Sequence, residues 1–303
     1  MSKREYILRY FSIIKKLRFT QEATFNEIED YLNQESNNTG YKLSISKRTF
    51  QRDLDEIRSL FNIDIKYHFS RKVYYIPEDE QLDNQNHRIL ESFDIMNALN
   101  MTNHISSYVL LENRRPLGTE HMNGLLHAIQ NHIIVSYDYL KFWEDEPSHR
   151  TVEPYALKEF KGRWYLLAED RKDHILKTFG LDRIHNLTFA SSTFKPKIST
   201  VKIREQFQHC FGIINPEDAE PEKVELVFDA EQGQYIKTYP LHASQKITKE
   251  NESEVNVSLN ILITHDFIME ILSHGEMVQV IKPATLKKQI LKTAQNVLEL
   301  YKQ

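Results

Sequence analysis

One short stretch, residues 160–170, constrains the fold of this chain more than any other part of the sequence. It reads Phe-Lys-Gly-Arg-Trp-Tyr-Leu-Leu-Ala-Glu-Asp and contains one of only two tryptophans in 303 residues. The aromatic and aliphatic run between Lys-Gly and Glu-Asp predicts a buried strand. Because side chains alternate along a strand, Trp164 and Leu166 are expected to fill a core. The opposite face would then offer Arg163 and Tyr165 to something outside that core.

The composition fits a chain of two or three domains with substantial hydrophobic cores. Apolar residues make up 40% of the sequence, and the eight glycines form no glycine-rich phosphate loop. The single cysteine, Cys210, excludes an intramolecular disulfide and a multi-cysteine zinc site, and it suits a reducing cytoplasm. The charged N-terminal residues predict no signal peptide, and no apolar run is long enough to span a membrane. We therefore expect a cytoplasmic protein without a membrane partner.

The net charge of −4 conceals an uneven distribution. Residues 1–78 contain 14 Lys and Arg against 11 Asp and Glu, a net charge of +3, which leaves −7 for the remainder. Within that N-terminal region, residues 41–75 contain eight basic and four acidic side chains. The concentration of positive charge there indicates where a nucleic acid would bind.

Three helices are predicted in the first 61 residues. Residues 3–18 have apolar side chains at helical spacing with Lys and Arg on the other face. A capping-box pattern from Thr24 to Glu27 predicts a short second helix, and the polar residues 33–42 predict a loop. Ser46 is expected to cap the third helix, in which the apolar positions recur with helical spacing: Phe50, Leu54, Ile57 and Phe61.

The third helix has the features of a DNA-recognition helix. The exposed positions of its first two turns are donors that could reach phosphates and base edges: Lys47, Arg48, Thr49, Gln51 and Arg52. Two predicted strands, 63–69 and 73–76, enclose a basic tip with Arg71 and Lys72, as in a wing. This order predicts a winged helix-turn-helix DNA-binding domain over residues 1–78. The alternative is a small helical bundle with ordinary solvated lysines.

Residues 79–131 are predicted to form a helical connector, with one helix between Ile89 and Met101 and a second around residues 121–131. Three histidines in and near the second helix stand at spacings of six and five: His121, His127 and His132. These spacings place them on different helix faces, so we expect no metal site. We expect no cofactor either, because no residue pattern for one is present.

From residue 132 the apolar pattern changes to a period of two. Five short strands are predicted at 133–139, 151–158, 163–168, 175–181 and 186–189, and their close spacing favours a small barrel over residues 132–195. Residues 196–220 are interpreted as a linker. Residues 221–303 follow a strand-helix-strand-strand-helix-strand order and end in a helix, which predicts a ferredoxin-like domain. The fold class is therefore multidomain α+β.

The chain resembles bacterial transcriptional regulators that contain a WYL domain. The resemblance rests on Trp164-Tyr165-Leu166, on Arg-Thr-Val-Glu-Pro at residues 150–154, and on Phe-Gly-Leu-Asp-Arg-Ile at residues 179–184. A winged helix before this region and a C-terminal extension of the WCX kind after it extend the resemblance to nearly the whole chain. It implies an Sm-like, SH3-type barrel with a basic pocket for nucleotides or single-stranded nucleic acid, and a WCX module for dimer contact and gating.

The same resemblance implies the ligand-binding residues, which are Tyr137, Arg150, Tyr165, Lys177 and Arg183. Guanidinium groups suit phosphates, and a phenol ring can stack on a base. This chain departs from the family pattern at Lys177 and Gly180, where relatives often carry Arg. Lysine keeps the charge without bidentate geometry, and glycine removes a side chain, so the pocket is expected to differ in strength or shape.

These observations favour a homodimeric transcriptional regulator that binds an inverted-repeat operator and responds to a nucleotide or single-stranded effector. Family members of this architecture also accompany phage-defence and CRISPR systems. An alternative is an accessory protein whose barrel grips single-stranded RNA or DNA and assists an effector nuclease. A nucleotide-processing enzyme is disfavoured because the candidate carboxylates are scattered along the chain: Asp138, Asp170 and Asp182.

Overall fold

The structure is a computed structural model that describes residues 3–77, 117–216 and 219–302. The chain divides into two compact units, residues 1–113 and 114–303. The first helix of the predicted connector, between Ile89 and Met101, lies outside the described residues. Within the described part, no helix is both long enough and apolar enough to cross a membrane.

The first unit is built on three helices: α1 (Lys3–Thr20), α2 (Phe25–Thr39) and α3 (Lys47–Phe61). They meet in a core whose central side chains are fully buried: Ile13, Ile14, Leu17, Ile28, Leu32, Phe50 and Ile57. Both predicted N-terminal caps are confirmed. Thr24 and Glu27 form a reciprocal capping box, and the Ser46 side chain accepts a hydrogen bond from the Thr49 amide at 3.2 Å.

The predicted loop at residues 33–42 was wrong over most of its length, because α2 continues to Thr39. Polar side chains that usually compete with a helix here bond to carbonyls one turn earlier. Ser36 donates to the Leu32 carbonyl at 2.9 Å, and Thr39 donates to that of Glu35 at 2.6 Å. Gly40 then ends the helix with φ 73°, a conformation that glycine adopts without steric cost.

A small antiparallel sheet completes the first unit. Its strands are β1 (Glu22–Ala23), β2 (Lys66–His68) and β3 (Val73–Tyr75), in the order β1-β3-β2. The β2–β3 hairpin confirms the two predicted strands with shorter bounds. Ala23 and Ile76 belong to the helical core, so the sheet packs against the helices that precede it.

The second unit begins with a 3-10 turn (Thr119–His121) and helix α4 (Met122–Gln130), followed by five antiparallel strands. The strands are β4 (Ile133–Tyr139), β5 (Ser148–Phe160), β6 (Arg163–Asp170), β7 (Ile175–Gly180) and β8 (Ile184–Thr193), in the order β7-β6-β5-β4-β8. A 3-10 turn (Leu181–Arg183) joins β7 to β8. All five predicted strands are confirmed, and most extend beyond their predicted ends.

Both faces of β6 are largely covered, which corrects the expectation that only one face fills a core. Leu166 lies in a core cluster with Tyr137 and residues of α4, and Trp164 packs against that cluster. On the other face, Leu167 packs with Phe194 and Ile203. The residues interpreted as a linker contain helix α5 (Thr200–Gln206), which Ser199 caps and which supplies Ile203 to this second cluster.

The C-terminal part forms a four-stranded antiparallel sheet. Its strands are β9 (Glu222–Asp229), β10 (Lys246–Glu250), β11 (Glu254–Ile261) and β12 (Val278–Lys282), in the order β10-β11-β9-β12. Helix α6 (Ala230–Thr238) connects β9 to β10. Helix α7 (His265–Ser273) and a 3-10 turn (Gly275–Met277) connect β11 to β12. The predicted order of strands and helices is confirmed.

The predicted last helix, α8 (Ala284–Leu300), begins after Pro283, and only the first apolar residues along it are buried: the apolar stripe comprises Leu286, Ile290, Leu291, Val297, Leu298 and Tyr301. Leu286 is fully buried and Ile290 packs against the sheet core. The later members of the stripe are exposed to solvent: Leu291, Val297, Leu298 and Tyr301.

The tip of the β5–β6 hairpin packs against the C-terminal sheet domain within the second unit. The ring of Phe211 lies 5.5 Å from that of Phe160 and 5.7 Å from that of Phe267 on α7. Lys161 pairs with Glu270 of the same helix at 2.6 Å. The strand with the Trp-Tyr-Leu sequence therefore starts at a contact with α7.

Asp266, near the start of α7, holds the connecting chain in place. One of its carboxylate oxygens accepts hydrogen bonds from the amides of Ile213 and Ile214, at 2.9 and 3.3 Å. The Leu262 amide also donates to the His209 carbonyl at 2.8 Å. The segment between the two sheets is thus fixed by backbone hydrogen bonds to the C-terminal part.

Candidate nucleic-acid and ligand sites

The predicted DNA-contacting residues lie together on the outer side of α3 and at the tip of the β2–β3 hairpin. Six of them are exposed and Thr49 is half-buried; the six are Lys47, Arg48, Gln51, Arg52, Arg71 and Lys72. The α3 residues among them are exposed because the apolar residues of α3 lie on the opposite side of the helix, which packs into the core. Their role in DNA binding remains a prediction.

Several of these side chains already have partners. Thr49 is used in the helix cap with Ser46, Gln51 donates to the Tyr74 hydroxyl at 3.3 Å, and Arg71 pairs with Glu22 at 2.6 Å. Arg48 and Lys72 make no ion pair or hydrogen bond within the described residues. These two are the cations most ready to take a phosphate.

The hairpin tip carries an aromatic side chain that the sequence analysis did not single out. Phe69 is 83% exposed beside the basic tip, and its ring lies 5.1 Å from that of Tyr67. Exposed apolar side chains can enter a DNA minor groove as wedges. The sequence indicated this exposure, because Phe69 directly precedes the polar and basic residues of the hairpin tip.

A buried ion pair positions α3, and the sequence analysis missed it. The basic residues of α1 were predicted on the face opposite its apolar side chains, but Arg9 donates to both carboxylate oxygens of Asp53, at 2.6 and 2.9 Å. Both side chains are 0% exposed. Removal of either residue would take away the closest partner of a buried charge, so this pair fixes α3 against α1.

The predicted ligand residues of the second unit separate into two groups. The first, here called the Asp170 cluster, contains Arg150, Asp170, Asp173 and Lys177. Asp170 is 2% exposed and accepts hydrogen bonds from Arg150 and Lys177 at 3.0 Å each. Its other oxygen accepts from the Lys172 amide at 3.0 Å, and Lys177 also pairs with Asp173. Two cations and two carboxylates leave this cluster without net charge.

The protonation states follow from this geometry. Burial alone would raise the pKa of Asp170, but hydrogen bonds from the Lys172 amide and from Lys177 hold it below its ordinary value. Burial likewise opposes the charge of Lys177, yet its two carboxylate partners raise its pKa. Asp170 and Lys177 are therefore both charged in the physiological range.

The second group, here called the Arg183 cluster, contains Arg163, Asp182 and Arg183 with the rings of Tyr139 and Phe142. The Arg183 guanidinium lies 5.0 Å from the Tyr139 ring centroid and 4.7 Å from that of Phe142. Asp182 is 3.4 Å from Arg163 and 3.9 Å from Arg183. Two guanidinium groups share one carboxylate at long distances, so this cluster keeps a net positive charge.

The Arg183 cluster has unused binding capacity and an aromatic surface beside it. The Arg183 Nε is buried and has no hydrogen-bond partner among the described residues. Phe142 is 64% exposed, and the next residue, Trp143, is 86% exposed. A flat ligand could stack on these rings while its anionic group meets the guanidinium groups. The sequence placed Arg163 on the outer face of its strand, but the predicted ligand-binding residues did not include Arg163, Phe142 or Trp143.

Gly180 makes room for the Arg183 cluster. A Cβ atom at Gly180 would lie 2.5 Å from an oxygen of Asp182 and 2.8 Å from a guanidinium nitrogen of Arg183. The position where relatives often carry Arg is thus filled here by neighbouring side chains. The expected difference in pocket strength or shape remains a prediction.

The two predicted tyrosines are both buried. Tyr137 is completely buried between the clusters, its hydroxyl has no described hydrogen-bond partner, and burial raises its pKa. Tyr165 is also buried, with its pKa raised by burial and opposed by the charges of Arg163 and Arg183. Tyr165 therefore lies near the Arg183 cluster, whereas Tyr137 is a core residue. The role of either in ligand binding remains a prediction.

A cavity of about 370 Å³ lies away from both clusters, between the outer faces of β6 and β7 and the chain around residues 198–209. Its main acid, Glu169, is already paired with Lys197 at 2.5 Å and with His174 at 3.0 Å. Within the described residues, no group of His, Cys, Asp or Glu side chains could hold a metal ion.

Comparison with known proteins matches two family models. The WYL domain model matches residues 120–189 and the WCX domain model matches residues 220–298. Both clusters therefore lie in the WYL domain, and the four-stranded sheet lies in the WCX domain. No curated protein matches the chain.

Two solved structures resemble the chain over nearly its whole length at low sequence identity. The proteasome accessory factor B/C (PafBC) of Arthrobacter aurescens is 18% identical over 97% of this chain, with a TM-score of 0.36. This chain spans 47% of that one. A CRISPR Cas-related protein is 12% identical over 100% of this chain and 87% of its own, with a TM-score of 0.39. The two family models show that the chain contains a WYL domain at residues 120–189 and a WCX domain at residues 220–298.

Proposed function

We propose that this protein is a transcriptional regulator, not an enzyme, that binds operator DNA through its N-terminal unit and senses an anionic ligand through its WYL domain. The observation that carries the proposal is the pair of cationic surfaces described above. Arg48 on α3 and the Arg183 cluster in the WYL domain each hold positive charge that neighbouring carboxylates do not neutralise.

The N-terminal unit acts as a winged helix-turn-helix domain in this proposal. Its helix order, followed by a hairpin with a basic tip, supports that sub-fold. The first turns of α3 would enter the major groove, and the hairpin would contact the phosphate backbone. Binding would then weaken steeply as salt concentration rises, because phosphate contacts release counterions.

The WYL domain acts as an Sm-like, SH3-type barrel whose ligand binds at the Arg183 cluster. The strand order β7-β6-β5-β4-β8 supports the barrel, because the last strand, β8, pairs with the first strand, β4, and does not extend the meander beyond β7. The ligand would be a nucleotide or a short single strand, since guanidinium groups and exposed aromatic rings suit phosphates and bases.

The WCX domain acts as a ferredoxin-like dimerisation module. The strand order β10-β11-β9-β12 with crossing helices supports that sub-fold. The exposed apolar residues of α8 supply a surface that a second copy could cover, and a dimer suits an inverted-repeat operator. The ligand regulates only if it binds one dimer conformation better than the other.

The first test is selection of bound fragments from genomic DNA, with duplex and single-stranded competitors at physiological salt. The proposal expects tight selection of an inverted repeat. Arg48→Ala with Arg52→Ala should lower duplex affinity by at least about 30-fold, since each lost phosphate or base contact costs about 1–3 kcal/mol. A matched control is Arg58→Ala, which removes a positive charge at the far end of α3.

Two outcomes would contradict the proposal. Unchanged duplex affinity in the Arg48 and Arg52 double variant would remove the recognition-helix assignment. A sequence-independent preference for single strands would favour an accessory protein that works through the aromatic rings beside Arg183.

Ligand sensing is tested separately with Arg183→Ala. The variant should keep basal operator binding and lose the response to nucleotide or single-stranded ligand, because the central cation of the cluster is removed. Collapse of basal operator binding would show that Arg183 is structural instead.

A further inference from the structure

The Asp170 and Arg183 clusters contain the same number of cations but different numbers of carboxylates. In the Asp170 cluster, Arg150 and Lys177 face Asp170 and Asp173. In the Arg183 cluster, two guanidinium groups face Asp182 alone. Opposite charges at hydrogen-bond distance leave little capacity for a ligand, so only the Arg183 cluster can take an anion without breaking an existing pair.

Asp170 has the geometry of a bound anion. One of its oxygens receives hydrogen bonds from Arg150 and Lys177 at 3.0 Å, and the other receives one from a backbone amide. A ligand phosphate at Arg150 and Lys177 would need the same donors. Because Asp170 is 2% exposed and lies on a strand, it cannot leave without disturbing β6.

Each cluster contacts or pairs with one of two tyrosines on β4, Tyr137 and Tyr139. Arg150 is the ladder partner of Tyr137, and the Arg183 guanidinium lies over the ring of Tyr139. The two tyrosine rings are 6.2 Å apart, and Phe179 packs against both. A chain of phosphates could therefore reach both clusters if both were open.

We propose that Asp170 occupies the place of a ligand anion at Arg150 and Lys177, so that the WYL domain selects a ligand with one anionic group, held by Arg163 and Arg183. Asp170 is then a specificity-determining residue. It closes the second anion site, so that a strand with several phosphates gains nothing over a nucleoside monophosphate. This inference rests on the proposed ligand-sensing function of the WYL domain.

The test compares two probes, adenosine 5′-monophosphate and a single-stranded tetranucleotide, by calorimetry on the full chain. The wild type should bind the two probes within about threefold of each other, because one anion site serves both. In Asp170→Asn, the tetranucleotide should bind about tenfold more tightly, since two charge-assisted hydrogen bonds become available. The monophosphate should change by less than about threefold.

Asp173→Asn is the matched control. It removes the more exposed carboxylate beside Lys177 but leaves Asp170 in place, so tetranucleotide affinity should rise by less than about threefold. Asp170→Asn with Lys177→Gln should lose most of the gain, because one of the two released donors is gone. A wild type that prefers the tetranucleotide by more than about threefold, or an Asp170→Asn variant with no gain, would overturn the proposal.

Thermal melting with added inorganic phosphate separates this inference from the proposed function. If the wild type binds neither probe, the ligand-sensing proposal fails. Even then, phosphate should raise the Tm of Asp170→Asn more than that of the wild type, because it supplies the missing anion. If the variant unfolds in phosphate-free buffer, phosphate should restore the fold. Equal phosphate effects in both proteins, or no rescue, would overturn the assigned role of Asp170.

Discussion

On the outer side of α3, Arg48 has no described carboxylate beside it, whereas Arg150 in the five-stranded sheet donates to a buried Asp170 at 3.0 Å. Both are arginines at positions where a nucleic-acid ligand was predicted. They differ in whether the fold already supplies the opposite charge. Both arginines can be recognised in the sequence as basic residues. Only the three-dimensional structure distinguishes a free cation from a neutralised one.

Arg48 and Arg150 represent two different roles of a basic side chain. A cation on an exposed helix surface retains its charge for a partner and contributes little to folding. A cation that faces a buried carboxylate contributes to the fold, and the loss of one partner leaves an uncompensated charge. The predictions below test this division, beginning with the most buried pair.

The largest effect is expected for Asp53→Ala in the first unit. Loss of this carboxylate leaves the buried Arg9 without its bidentate partner, which should reduce the free energy of unfolding by about 3–5 kcal/mol. Urea denaturation of the full chain, followed by the transition of the N-terminal unit, measures this loss. Duplex binding should disappear together with the folded unit.

Asp55→Ala is the control for this prediction. Asp55 is an exposed residue of the same helix, and its removal should change stability by no more than about 0.5 kcal/mol. Similar losses in the two variants would mean that the Arg9–Asp53 pair has no special structural role.

A smaller effect is expected from acid. The folded pKa of Asp170 is held below the ordinary value of 3.8, so the unfolded chain takes up protons first as pH falls. Its contribution to stability is therefore full above pH 3.8 and is lost as the pH falls through the folded pKa. Unfolding free energies measured between neutral and acidic pH should decline less steeply in Asp170→Asn. An unchanged slope would contradict this assignment.

The smallest effect is expected at the hairpin tip, where an exposed carboxylate competes with DNA. Glu22 pairs with Arg71 at 2.6 Å, and both side chains are substantially exposed. Glu22→Gln should raise duplex affinity by about two- to threefold and leave stability nearly unchanged, because exposed ion pairs contribute little. Fluorescence anisotropy at low and high salt measures the gain. A loss of affinity would show that Glu22 positions Arg71 for binding.

Local patterns predicted most of the elements. The capping residues Thr24 and Ser46 and the alternating strands from residue 133 onward act over a few neighbouring positions, and these predictions were confirmed. The extension of α2 was missed because its polar residues disfavour a helix. Its last turns depend on side-chain bonds such as that of Ser36 to the Leu32 carbonyl, together with Gly40 at the end.

The electrostatic state of the candidate sites could not be predicted in the same way. Arg9 and Asp53 are 44 residues apart, and Arg150 and Asp170 are 20 apart. Such pairs form only when the fold brings distant segments together, so spacing in the sequence carries no signal for them. The WYL resemblance identified Arg183 but not the Phe142 ring beside it, because that ring lies in a loop outside the family motif.

The chain between the two sheets also determines how this protein could be divided or recombined. Phe194 and Ile203 cover the outer face of β6, while Phe211 and the amides of residues 213 and 214 are held by α7. A cut anywhere in this segment would expose apolar surface on one side or the other. Exchange of the WCX domain between relatives would therefore succeed only if residues 194–216 were inherited with matching partners on both sides.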